Sequence, residues 1–178
     1  MPQNIPVMRH LMTATHQDVL NNKGDMFTRH ASRAIVLKGD DILLLYTARY
    51  DDYTLPGGGV DQGENVADGL LRELAEETGA NDIEIIDDFG IYEEYRPWHK
   101  PDFDTIHMLS YCYVCRIGDN LGETSYEDYE LGNGMKPVWI NIYQAIKHNQ
   151  EIIKHSDKKG MSIERETFLL KKVVEELL

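Results

Sequence analysis

Residues Gly58 to Ala80 read GGVDQGENVADGLLRELAEETGA, and the reading of this stretch decides the fold. From Asn65 to Thr78 the apolar residues Ala67, Leu70, Leu71 and Leu74 recur at helical spacing, and Gly79 stands where a C-terminal cap belongs. A helix advances about 100° per residue, so Glu73, Glu76 and Glu77 share one side of it. The apolar residues fill a neighbouring sector, so the helix buries one face and presents concentrated negative charge on another. Like charges at three- and four-residue spacing repel unless something positive joins them.

A hard divalent cation is the natural partner of such a stripe. Magnesium takes oxygen ligands and keeps part of its shell for water and substrate phosphate, which makes Mg²⁺ the first choice, and Mn²⁺ favours similar ligands. The preceding Gly57, Gly58 and Gly59 allow backbone to approach a metal or phosphate, with the Gly58 carbonyl as a candidate ligand. Arg72 is placed to pair with Glu64 or another nearby carboxylate through its fixed fork of donors, an orienting role.

Working outward, Ala34–Leu37 and Ile42–Tyr46 flank Lys38-Gly39-Asp40-Asp41, the pattern of a hairpin. Asp51–Gly63 has loop composition. Strands are expected at Ile83–Phe89, Ile91–Tyr95, Met108–Ile117 and Pro137–Ile140. Helices are expected at Ile142–Asn149 and Ser162–Leu178, the latter burying Ile163, Leu169, Leu170, Val173, Val174 and Leu177. Val7–Leu20 reads as a short helix or irregular chain, with a turn at Asn21–Asp25. Strands around one central helix, with another at the end, indicate an α+β domain.

The 178 residues suffice for one well-packed domain. With 31 acidic against 18 basic residues the formal charge is −13, so the average surface repels polyanions, and a general nucleic-acid binder is not expected. Carboxylate-held cations can still reverse the potential locally for a small phosphate substrate. Cys112 and Cys115 alternate to opposite faces of a strand, against a disulfide or zinc clip. No stretch has signal-peptide or membrane-spanning form, so cytoplasmic residence and no membrane partner are expected.

Gly58, five residues, Glu64, seven residues, then Arg72-Glu73-Leu74-Ala75-Glu76-Glu77-Thr78-Gly79-Ala80 resembles a complete Nudix box, with Ala80 a weak filling of the final apolar position. Leu55-Pro56-Gly57-Gly58-Gly59 resembles the family's usual lead-in. The resemblance implies an α/β/α sandwich around a central mixed sheet, with the box as a catalytic loop-helix-loop. It places the core at 29–146, between an N-terminal extension (1–28) and a C-terminal helical segment (147–178). It also implies a pyrophosphohydrolase in which metal-bound water attacks phosphorus of a nucleoside diphosphate linked to another moiety. Glu73, Glu76 and Glu77 then become metal ligands with the Gly58 carbonyl, and Glu73 is also a candidate proton acceptor. Some relatives take that base from a later loop, here Glu123, Glu127 or Glu130, with Glu130 the first choice. A homodimer fits the family habit. The competing reading is a Nudix-fold module that binds a nucleotide or metabolite without turnover, against which the intact set of box carboxylates argues.

Substrate selection comes from outside the box. Arg33, Arg49, Tyr53, Tyr95 and Arg96 are the candidates, arginine to grip phosphate and tyrosine to stack on a base; ordinary packing explains each of them equally well. The bland readings also cover a Trp98, His99 and His107 cluster as a half-buried hairpin, His148 and His155 as surface residues, and the C-terminal helix as packing or dimer surface. Asp102 and Asp104 do not reproduce a calcium loop.

Overall fold

In the computed structural model, which describes every residue except Met1 and Gln3 of the expected N-terminal extension, the strands are β1 (His10–Thr15), β2 (Met26–Lys38), β3 (Asp41–Thr47), β4 (Asp52–Thr54), β5 (Gly57–Gly59), β6 (Glu84–Pro97), β7 (Thr105–Arg116) and β8 (Met135–Asn141). The helices are α1 (Val66–Thr78), α2 (Asp128–Gly132), α3 (Ile142–His155) and α4 (Ile163–Leu177). Residues gather into two compact units, one of 1–34, 57–72 and 85–114, the other of 35–56, 73–84 and 115–178.

In the first unit the strands follow the order β1-β6-β7-β2, and β5 pairs with β2. β1 runs parallel to β6, with Thr15 opposite Tyr95, and β5 runs antiparallel to β2, with Gly57 opposite Arg33. That pairing explains one glycine: Gly57 has φ +147°, and a Cβ there would lie 1.9 Å from the Ser32 carbonyl oxygen, so no side chain fits. Buried Ala31, Ile106 and Met108 form a core on which Phe27 and Trp98 pack.

Two expectations are corrected in this unit. Val7–Leu20 is neither helix nor irregular chain but contains β1 and a 3-10 turn at Gln17–Val19. Most of β1 is at least half-exposed, so no apolar alternation marked it. The two strands expected either side of Gly90 are one continuous β6; Gly90 stays within the strand, where a Cβ would press on the Leu11 side chain at 2.5 Å.

In the second unit β3 is central. The hairpin closes through Gly39-Asp40, with Leu37 opposite Ile42 and Lys38 opposite Asp41. β8 runs antiparallel along the whole of β3, and β4 pairs with its last residues. Ile42, Leu43, Leu44 and Leu45 are all buried, so consecutive residues on both faces of β3 are covered. Helices α3 and α4 pack on each other and on β4. Ile163, Leu169, Leu170 and Val173 form the buried stripe, Val174 is half-buried, and Leu177 is exposed. Helix α3 is longer than expected, and α2 was not foreseen.

The outer edge of β4 is completed by side chains. The Tyr53 N–H donates to Asn149 Oδ1 at 3.0 Å, and Asn149 Nδ2 donates to the Tyr53 carbonyl at 2.9 Å. The Leu55 N–H donates to Glu166 Oε2 at 3.3 Å, and His148 Nε2 is 2.8 Å from the Asp51 carbonyl. Asp51–Gly63, expected as loop, therefore contains β4 and β5: distant partners impose extended structure on loop-like composition.

Parallel and antiparallel pairs together with helices make the class α+β with a mixed sheet, as expected. Cys112 and Cys115 are both buried free thiols, and burial pushes Cys115 up to about 12. Among the described residues no helix is long and apolar enough to cross a membrane.

Candidate active site

Helix α1 carries the acidic stripe because its other face is consumed by packing. Leu70 and Leu74 are fully buried, Glu73 and Glu76 are half-buried, and Glu77 is only 4% exposed. The entry is capped by Asn65, whose Oδ1 accepts the Ala67 N–H at 2.9 Å. At the exit Gly79 takes φ +73° and donates its N–H to the Ala75 carbonyl at 2.9 Å.

In the first unit Arg72 and Glu64 form a bidentate pair, Nε to Oε2 and Nη2 to Oε1, each at 2.9 Å. Arg72 Nη2 also donates to the Gly59 carbonyl at 3.2 Å, and Glu64 Oε1 accepts the Asp61 N–H at 2.9 Å. These bonds tie the lead-in to the first half of the helix. The Arg72 guanidinium holds the Glu64 carboxyl below its usual range.

In the second unit the last turn of α1 is met by the loop after β7. The Ser125 N–H donates to the Glu76 carbonyl at 2.6 Å, the Tyr126 hydroxyl to the Glu77 carbonyl at 2.7 Å, and the Gly122 N–H to the Gly79 carbonyl at 2.6 Å. Sequence reasoning valued this loop only for its acids and missed its hold on the helix end. Gly-Glu-Thr-Ser-Tyr holds donors and a glycine, but nothing in it names the helix end they reach.

Of those acids, Glu123 and Glu127 are exposed, while Glu130 is 6% exposed and its Oε1 accepts the Glu127 N–H at 2.9 Å. With the Glu127 side chain, which accepts the Glu130 N–H, that bond makes a capping box at the start of α2.

Magnesium binding can be weighed against these residues. Glu73, Glu76 and Glu77 offer hard oxygen donors on one face, and burial of the Glu77 carboxylate favours neutralisation by a cation, so the residue types fit. Among the described residues no three His, Cys, Asp or Glu side chains already form a cation cluster. Loading would require the three side chains to turn toward a common point.

The proposed substrate-selecting residues fall in both units. In the first unit Arg33 Nη2 reaches Met108 Sδ at 3.9 Å, Arg96 pairs with buried Glu94 at 3.4 Å, and the Tyr95 ring stacks on His107 with centroids 4.5 Å apart. In the second unit Arg49 bonds Asn133 and lies over Tyr50, while Tyr53 packs on Tyr46 and His148. The Trp98, His99 and His107 group divides: Trp98 packs on His99 and bonds Asp102, while His107 Nε2 lies 2.7 Å from Glu93 Oε2. His155 is exposed beside Glu151, as the bland reading has it, but His148 is engaged with Asp51.

A buried polar group in the second unit was missed. Asp52 is 3% exposed, its Oδ1 has no hydrogen-bond partner, and burial followed by the Glu166 charge pushes it up to about 6. Glu166 is fully buried and accepts from Arg165 Nη2 at 3.2 Å.

The family model of the NUDIX domain matches residues 28–158. The chain belongs to the Nudix family. Among relatives of this Nudix chain, an RNA pyrophosphohydrolase of Campylobacter jejuni is 40% identical over 140 residues, covering 65% of this chain and 83% of that protein. The Pre-mRNA cleavage factor Im 25 kDa subunit 2 of Arabidopsis thaliana is 41% identical over 58 residues, 33% of this chain and 28% of that protein. A solved NUDIX hydrolase from Nitrosomonas europaea has a TM-score of 0.56 at 16% identity, covering 83% of this chain and 90% of that one, which speaks to the fold alone. As a Nudix pyrophosphohydrolase the chain cleaves a diphosphate linkage. The name of the Campylobacter relative includes RNA, which runs against the expectation of no nucleic-acid partner drawn from net charge.

Proposed function

We propose that this Nudix chain hydrolyses a nucleoside diphosphate linked to another moiety, with Glu73, Glu76, Glu77 and the Gly58 carbonyl holding Mg²⁺ or Mn²⁺. The observation that carries this reading is the helix α1 itself, three carboxylates on one face with Glu77 buried. When bound, the cation supplies an activated water and offsets phosphate charge. The chain's residues do the rest: Arg72 holds Glu64 and the Gly59 carbonyl, and an acid accepts the water's proton. Glu73, or one of Glu123, Glu127 and Glu130 in the later loop, with Glu130 the first choice there, is the candidate for that acid. Arg33, Arg49, Tyr53, Tyr95 and Arg96 remain the proposed substrate contacts.

A second substrate reading, a phosphorylated RNA 5′ end, is favoured by the Campylobacter relative. The two are separated by one assay: purified protein with Mg²⁺ is offered free nucleoside diphosphate derivatives and a 5′-triphosphorylated oligoribonucleotide, and the products are identified. Turnover should fall by about 10²-fold or more in Glu77→Gln. Full activity in that variant, or no product from either class, overturns the assignment. Cytoplasmic residence, with which two buried free thiols agree, and a homodimer belong to the same proposal. Sedimentation of the purified chain decides the latter.

A further inference from the structure

Helices end with four carbonyls that lack intrahelical partners, and their last turns fray unless other donors arrive. In α1 the carbonyls at stake include those of Glu76 and Glu77, two of the proposed cation ligands. The amides that would continue the helix do not serve them: Gly79 turns the chain left-handed, and the Ala80 N–H goes instead to Thr78 Oγ1 at 3.2 Å. The Ser125 N–H and the Tyr126 hydroxyl take those places, at 2.6 and 2.7 Å.

We propose that Tyr126 is a positioning residue for the hydrolytic site: its hydroxyl, bonded to the Glu77 carbonyl, holds the last turn of α1 so that the Glu77 carboxylate faces the cation. Ser125 acts alongside it on Glu76, through its backbone N–H. Tyr126 is suited to the work. It is partly buried, and its hydroxyl is the donor in the bond to the Glu77 carbonyl. The neighbouring Gly122 to Gly79 bond fixes the loop's approach, and the backbones are so close that a Cβ on Gly79 would lie 2.2 Å from the Gly122 oxygen.

The inference rests on the carboxylate reading of Glu77, so its test separates the two. Tyr126→Phe removes one hydroxyl and keeps the ring. Titration calorimetry with Mg²⁺ alone, on the full chain, should show affinity weakened by about tenfold, with a similar fall in kcat and little change in KM. Tyr129→Phe, on the exposed face of α2, should keep wild-type values. Unchanged Mg²⁺ affinity and kcat in folded Tyr126→Phe overturn the positioning role while leaving Glu77 in place. So does a loss of activity that merely tracks lost folded protein, read from a thermal melt, with Mg²⁺ affinity of the folded fraction intact. If Glu77→Gln also binds Mg²⁺ and turns over normally, it is the carboxylate reading that fails.

Discussion

Arg72 grips both carboxylate oxygens of Glu64 at 2.9 Å and uses the same guanidinium nitrogen, Nη2, to hold the Gly59 carbonyl. Lysine can supply the charge but not this fork. Arg72→Lys should therefore cost about 1–3 kcal/mol of local order and lower kcat/KM by about tenfold or more. Steady-state kinetics beside a thermal melt check this, and wild-type kinetics in the variant count against it.

The same pair makes a pH prediction. The Glu64 carboxyl is held below the ordinary glutamate value of 4.5, so its contribution to stability is fully present above that value and is lost as pH falls through the lower, folded value. Melting temperatures of wild type and Glu64→Gln should differ at neutral pH and converge in acid. A gap that stays constant down to strong acid contradicts the pairing.

Asp52 has the opposite sign. Its folded value of about 6 lies above the ordinary aspartate value of 3.8, so the fold favours the protonated form and loses stability as pH rises between those values. Above about 6 the cost levels off at about 3 kcal/mol. Asp52→Asn, which stays neutral, should melt higher than wild type at pH 8 and gain nothing at pH 3.5. A variant less stable at pH 8 would show that the charged form is the one the site wants.

Asn149 is fully buried and meets both backbone groups of Tyr53. Replacing it with Leu strands a buried donor and acceptor, an expected loss of about 2–5 kcal/mol in denaturant unfolding. Leucine matching wild type would mean that water reaches β4 without penalty.

Helix α1 was legible because one local pattern fixes it: Leu70 and Leu74 set the buried face, Glu73, Glu76 and Glu77 the other, and Gly79 the end. The β2–β3 hairpin was legible through Gly39-Asp40 for the same reason. β1 and β4 were not: β1 is made by β6, far along the chain, and β4, though next to β3 in sequence, is completed by the distant Asn149. Asp52 and Glu166 were invisible as a buried pair because sequence spacing of over a hundred residues carries no sign of proximity, and acidic residues are read as surface by default. The Tyr126 bond to Glu77 was missed likewise: its loop was weighed for acids, and nothing local says which helix end a tyrosine will reach.

Completion of β4 by an amide side chain has a further consequence. A strand margin with unsatisfied N–H and C=O groups is a template on which another molecule can add, and such addition begins fibres and unwanted oligomers. At Tyr53 both of those groups are already taken by Asn149, and an amide side chain, unlike a strand, presents no further row of donors and acceptors to extend. Growth of cross-molecular ribbons is blocked at Tyr53 by that side chain, with Glu166 taking the Leu55 N–H beside it.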